Sequence, residues 1–188
     1  MKTTLLTVLS LCAISPAFAG NHDPKVIIPL LKNAKMTLVE GIDYAAKLSG
    51  PVTSAKFEVS DDGKLILSVY TIPEGLGVEP EKATLTEISG DVAVAPFKPE
   101  FEVFTDKEHI ARASVHMTLL QLSKFTLKQT IRRALARQAG VPIDVRNPRV
   151  IDGRPVADVI IATDDCDEDN DAATVRVDLL SGATRLLD

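Results

Sequence analysis

Apolar and polar positions along this chain fall into two similar series. Leu38, Ile42, Ala45 and Ala46 recur at helical spacing in the first, and Leu127, Ile131, Ala134 and Leu135 recur at the same intervals in the second. Each series predicts one amphipathic helix. Thr37 with Glu40, and Thr126 with Gln129, stand as capping boxes that would satisfy the free N–H groups of each first turn. Gly50-Pro51 ends the first helix, and Gly140 with Pro142 stops the second.

After each helix the period shortens to that of strands. The first series predicts strands at 53–59, 64–72, 82–88 and 91–95, and the second at 144–151, 154–163, 173–180 and 183–187. Asp62-Gly63 and Asp152-Gly153 mark hairpins, while Ile88-Ser89-Gly90 and Leu180-Ser181-Gly182 mark closing turns. The openings also match: Lys35-Met36-Thr37-Leu38 against Lys124-Phe125-Thr126-Leu127. The offset between copies grows from 89 at Thr37/Thr126 to 92 at Gly90/Gly182, so insertions have collected in loops.

The expected fold class is therefore α+β. Two tandem repeats each pack one helix on a three- to four-stranded antiparallel sheet, with an extra connecting helix. The division reads as an N-terminal arm at 20–34, repeat one at 35–97, a connector at 98–123 and repeat two at 124–188. Residues 26–31 give the arm a short apolar element that could lie against the first repeat. In the connector, 100–104 reads as a short strand and Asp106 as an N-cap. Ile110, Ala113, Met117 and Leu120 then mark one helical face. The second strand of each copy is apolar on both faces: Leu65, Leu67 and Val69 oppose Ile66 and Tyr70, and Ala157, Val159 and Ile161 oppose Val156 and Ile160. A sheet covered on one face alone would alternate with polar residues, so a second cover is expected from the partner repeat, the connecting helix or another protein.

Residues 1–19 read as an export signal. Lys2 supplies the positive start, residues 5–14 a short apolar stretch, and Ala17-Phe18-Ala19 an A-x-A cleavage site. Leu11 before Cys12 is too large for a lipid-attachment site, which favours cleavage near Ala19 and a periplasmic or secreted location. The apolar stretch is shorter than the roughly 20 residues a membrane-spanning helix needs, and no longer one follows. Loss of Lys2 would take the formal net charge from −5 to −6, against a nucleic-acid partner. Once Cys12 leaves, Cys166 is the one cysteine; an intramolecular disulfide is then impossible, and pairing with another chain is the open alternative to a free thiol.

The second copy resembles the PepSY family. Its segment T-L-K-Q-T-I-R-R-A-L-A-R-Q-A-G (126–140) is similar to the family's opening helix. D-G-R-P-V-A-D-V-I-I (152–161) resembles its central hairpin, and V-R-V-D-L-L-S-G (175–182) its closing strand. The first copy departs more, with Thr86-Glu87 in the closing strand where Val177-Asp178 matches. The resemblance implies a non-enzymatic exported module that binds or restrains another exported protein such as a peptidase, with no catalytic residues and no cofactor. The binding reading leads us to expect an exposed apolar strip on a sheet face or in a groove.

The most unusual local chemistry is the acidic run at 164–171. Asp165, Asp167, Asp169 and Asp171 offer the oxygen ligands that calcium takes, and a small-ligand or cation binder is the alternative function. The run departs from an EF-hand loop, however, with Asn170 in place of the turn glycine and Arg176 in place of the closing glutamate. A solvated charged hairpin loop is the plainer account. The surrounding carboxylates disfavour a Cys166 thiolate. His109 and His116 lie seven apart on the connector helix, too few for a metal site without further ligands. All nine arginines follow residue 111, and Arg132, Arg133 and Arg137 give the second repeat helix a basic face that could meet an acidic partner or simply face water.

Overall fold

A computed structural model describes residues 21–163 and 172–187. The export signal, Cys166 and the candidate cation residues Asp165, Asp167, Asp169 and Asp171 lie outside the described residues.

The described chain is a mixed α+β fold of four helices and one nine-stranded antiparallel sheet. The helices are α1 (Pro24–Leu31), α2 (Leu38–Ser49), α3 (Lys107–Leu122) and α4 (Leu127–Arg137). The strands of the first half are β1 (Val52–Val59), β2 (Leu65–Thr71), β3 (Leu85–Asp91) and β4 (Glu100–Phe104). Those of the second are β5 (Val141–Val145), β6 (Arg149–Ile151), β7 (Arg154–Ala162), β8 (Ala172–Asp178) and β9 (Thr184–Leu187). Both capping boxes form, with each threonine hydroxyl accepting the N3 amide and each N3 side chain returning to the threonine amide.

Two separate sheets were expected, and one is found. Its order is β4-β3-β2-β1-β5-β7-β8-β9, with β6 attached to β7. The halves join edge to edge where Ala55 faces Val145 and Lys56 faces Asp144. Joining the inner strands removes two exposed edges at once, an advantage no separate pair of sheets has. Read outward from that junction, each half carries one capped helix and a meander.

One face of the sheet carries the core. Ala55 and Phe57 of β1, Leu67 and Val69 of β2, Val145, Val159 and Ile161 are buried beneath Ile27 of α1, Leu38 and Ile42 of α2, and Ile131 and Ala134 of α4. Each of the valine, leucine, isoleucine and phenylalanine side chains contributes roughly 1.5–3 kcal/mol by leaving water, and each alanine less. The α2 stripe is rotated from its expected position: Gly41 is buried and Ala46 is exposed, because Gly41 lets the helix approach β2.

Four further expectations change. Residues 92–95 turn instead of forming a strand, and Ile88-Ser89-Gly90 lies within β3 instead of closing it. Gly90 serves a different purpose there: a Cβ on it would stand 2.9 Å from Lys98 O and from the Phe97 ring, where the chain folds back on β3. The strand expected at 144–151 breaks into β5 and β6 around Pro148, which has no N–H for a ladder. The strand expected from 82 starts later, since Pro80–Lys82 form a short 3-10 turn.

The opposite face is covered only in part. The connecting helix α3, capped by Asp106 as its sequence predicts, lays Ala113 and Met117 over Ile72, Ala83 and Leu85, with Tyr70 and Phe104 half-buried beside them. Val156 and Ile160 of β7 are also buried. Between these covered regions, the sheet stays open.

Candidate functional site

The open stretch of sheet is a groove of about 960 Å³ across β4, β3, β2, β1 and β5. Strand alternation sets its lining. Ala55, Phe57 and Val59 point into the core, so Ser54, Lys56 and Glu58 face the groove. The ladder registers arrange those residues in rows across the strands. One row runs Glu102, Glu87, Tyr70, Ser54, and the next runs Glu100, Ser89, Ser68, Lys56, Asp144. The α3 residues His109 and Arg112 close one rim, and Asn147 and Arg149 close another.

The floor is densely charged. Glu58 is buried; its Oε1 accepts a short hydrogen bond from the Ser68 hydroxyl. Its Oε2 lies 2.8 Å from Lys56 Nζ, near enough for an ion pair but off the line of a hydrogen bond. Lys56 Nζ also contacts His22 Nε2 at 3.2 Å and lies 5.9 Å from the Tyr70 ring centre. Burial, then the Lys56 charge, lower the His22 pKa, which keeps that ring an acceptor towards the ammonium.

Glu87 stands beside this pair. Burial raises its pKa, with the Glu58 charge adding to the effect and the neighbouring Ser68 and Tyr70 hydroxyls opposing it. Burial and the Glu87 and Glu58 charges hold the Tyr70 phenol far above its ordinary value, so it stays a donor. Asp144, across the β1–β5 junction, is pushed up to about 6 by burial, against the pull of Arg146 at 3.4 Å and of Lys56.

Beyond the junction the same face turns basic. Burial would raise the Asp158 pKa, but hydrogen bonds from Arg176 and Arg149 outweigh it and hold the carboxyl low. Arg176 grips it with Nε at 2.9 Å and Nη2 at 3.1 Å. The groove thus has an acidic end at β3 and β4 and a basic end at Arg146 and Arg149, beside which Asp158 and Arg176 continue the same sheet face.

A second, smaller groove of about 440 Å³ lies between α2 and the α3–α4 junction, lined by Ile42, Ala46, Leu120 and Phe125. Lys128 and Asp43 bridge the two helices there at 2.7 Å.

The sequence-derived candidates fall elsewhere. Arg132, Arg133 and Arg137 are exposed on α4, on the helix-covered side of the sheet and outside the main groove. Arg133 stacks on Phe125 at 4.0 Å and reaches Gly182 O, so it serves packing within its own half. His109 stacks on Phe104 and bonds Asp106 at 2.6 Å, while His116 is buried. Among the described residues, no three histidine, cysteine or acidic side chains gather as a metal site. The expected apolar strip is not on the open sheet face, which is polar. Sequence reasoning passed over Glu87, Glu102 and Ser54. The available signal was Glu87 itself, a charge inside an apolar strand and already a departure from the closing-strand pattern.

No family model matches the chain, and no curated protein matches it. Among solved structures it is similar to a candidate lipoprotein from Clostridium difficile 630. The two are 16% identical, the match covers 82% of this chain and 92% of that chain, and the TM-score is 0.40. No helix among the described residues is long and apolar enough to cross a membrane.

Proposed function

We propose that this chain is an exported, non-enzymatic binding module of two PepSY-like repeats, released near Ala19 into the periplasm or beyond. Its groove holds an extended stretch of another exported protein, with a peptidase as the expected partner. The observation that carries this reading is the open sheet face itself: about 960 Å³ of concave surface, long enough to cross five strands and lined by side chains of both signs. Such a surface suits a polypeptide, which brings alternating side chains and many backbone donors and acceptors. Of the serines that line it, Ser54 is buried with no hydrogen-bond partner and Ser60 donates to Asp62 at 2.6 Å. The mirrored strand order and the paired capping boxes support the repeat reading.

Site-specific photo-crosslinking in the producing organism tests this. A benzophenone side chain at Glu100, in the groove, is expected to trap one exported protein. The same group at Leu48, exposed on the helix side, is expected to trap none. Equal labelling from both positions, or none from Glu100, would refute the reading.

A further inference from the structure

We propose that the acidic end of the groove is a recognition site for a basic side chain, the guanidinium of arginine or the ammonium of lysine, carried by the bound polypeptide. This rests on the polypeptide-binding reading above and names what the groove selects.

The first observation is a pair of like charges. Glu87 and Glu102 are direct cross-strand partners on the groove face, an arrangement that destabilises a sheet unless something lies between the charges. No ion pair among the described residues supplies it. Among the described residues, no lysine, arginine or histidine nitrogen comes within 4 Å of either carboxylate, while the neighbouring cations are committed elsewhere. Lys56 serves Glu58, Arg112 serves Glu108, Arg146 serves Asp144 and Arg149 serves Asp158. Lys98 remains, exposed at the rim.

The second observation concerns protons. Ser68 and Tyr70 are the hydroxyls that reach Glu87, and Ser68 already gives its single proton to Glu58. One hydroxyl cannot donate to two carboxylates at once, so this pair is short of donors.

The third observation is independent of the acids. Ser54, beside Tyr70 in the same row, is only 6% exposed, lines the groove, and its Oγ has no hydrogen-bond partner. Asn147 Oδ1 on the opposite rim is likewise unpartnered. Both oxygens can accept, and leaving a buried polar atom unpaired costs about 1–3 kcal/mol. A ligand group that is positive and rich in donors answers the first two deficits, and a backbone N–H of the same polypeptide can answer the third. Guanidinium has five N–H donors in a planar fork suited to a carboxylate, and it stacks on an aromatic face such as Tyr70.

Fluorescence anisotropy on the full chain tests the inference. The probes are a labelled Ac-Gly-Ala-Arg-Ala-Arg-Ala-Gly amide, its citrulline counterpart (same shape, no charge) and free agmatine as a competitor. The arginine peptide is expected to bind at least about tenfold tighter than the citrulline peptide, a difference of about 1.4 kcal/mol. Glu87→Gln should abolish most of that preference with the melting curve retained. Glu81→Gln, an exposed acid outside the groove with the same change in net charge, should leave it intact. Equal binding of the arginine and citrulline peptides would overturn the basic-side-chain inference while leaving polypeptide binding standing. Glu87-dependent binding of agmatine with no peptide binding would uphold the cation site and overturn the polypeptide reading. Equal losses in the two glutamine variants, or no binding of any probe, would overturn the inference.

Discussion

Gly41 of α2 lies so close to Leu67 of β2 that a Cβ built on it would stand 2.1 Å from Leu67 Cδ2. The contact sets how deeply α2 sits on the first half of the sheet. Alanine would gain up to about 1 kcal/mol of helix propensity, but overpacking a filled core costs roughly 1–3 kcal/mol. Gly41→Ala is expected to destabilise the fold by about 1 kcal/mol net, read as a lower urea midpoint at unchanged slope. Leu67→Val placed beside it should recover part of the loss. A Gly41→Ala variant as stable as the parent would show that Leu67 yields freely.

Asp158 tests the second half. Its side chain is buried and held by Arg176 and Arg149. Arg176→Ala strands a buried carboxylate with one partner, and Arg149 is more exposed than Arg176 and bonds through one nitrogen. A loss of about 2–3 kcal/mol is expected, below the 3–5 kcal/mol of a fully buried pair because both arginines retain contact with water. Asp158→Asn in the Arg176→Ala background should restore part of it by removing the unpaired charge. Additive losses in the double variant would refute this account.

The parts of this fold legible in the sequence are those decided within a few residues. Thr37 with Glu40 and Thr126 with Gln129 cap their helices because the groups concerned are three positions apart. Asp152-Gly153 makes its turn because both residues accept positive φ, at 50° and 72°. The junction of the halves was not legible. Strand alternation says which face Lys56 takes, not that its neighbour across the ladder is Asp144. The groove depends on that junction and on the pairing of Glu87 with Glu102, so it too was hidden. Attention to Arg132, Arg133 and Arg137 led to the helix-covered side of the sheet. The break at Pro148 was readable from its missing N–H and was overridden by the apolar residues Val145, Val150 and Ile151 on either side of it.

Two groups, buried His116 and half-buried Asp144, titrate in overlapping windows with opposite effect. Burial, assisted by Arg112, lowers the His116 pKa from 6.5 to about 4. Between those values the unfolded chain binds a proton that the folded chain refuses, so this group removes stability as pH falls from 6.5. Asp144 is raised from 3.8 to about 6. Between those values the folded chain keeps a proton that the unfolded chain gives up, so this group removes stability as pH rises towards 6. Each contribution is at most about 3 kcal/mol, and in the wild type they offset. Relative to wild type, Asp144→Asn should gain stability from pH 4.5 to 6.5. His116→Leu, which also removes an unpartnered Nδ1, should lose stability relative to wild type over the same interval. Urea midpoints at the two pH values decide it; parallel shifts in both variants would refute the opposed titrations.

The outer strand β4 shows how the sheet limits its own growth. Among the described residues it pairs with β3 alone, and Phe101 and Val103 are 56% and 57% exposed. Those two side chains share the core-side face with Ile88 and Thr86, their ladder partners, whereas Glu100 and Glu102 face the groove. A hydrophobic outer strand is a template for pairing with another chain, and charge on it opposes that pairing. Two copies meeting along β4 would bring their acids together across the new ladder, with like charges opposed. Neutralising both acids, Glu100→Gln with Glu102→Gln, keeps the apolar side chains and removes that repulsion. The double variant is expected to self-associate with rising concentration, seen as greater light scattering than the parent at equal concentration. Val103→Lys added to it should return scattering to the parent level, because the lysine charge replaces an apolar contact at the same edge. If the double variant scatters no more than the parent, the glutamates are not what keeps β4 from pairing, and their place in the groove is the remaining physical reason for two acids on an outer strand.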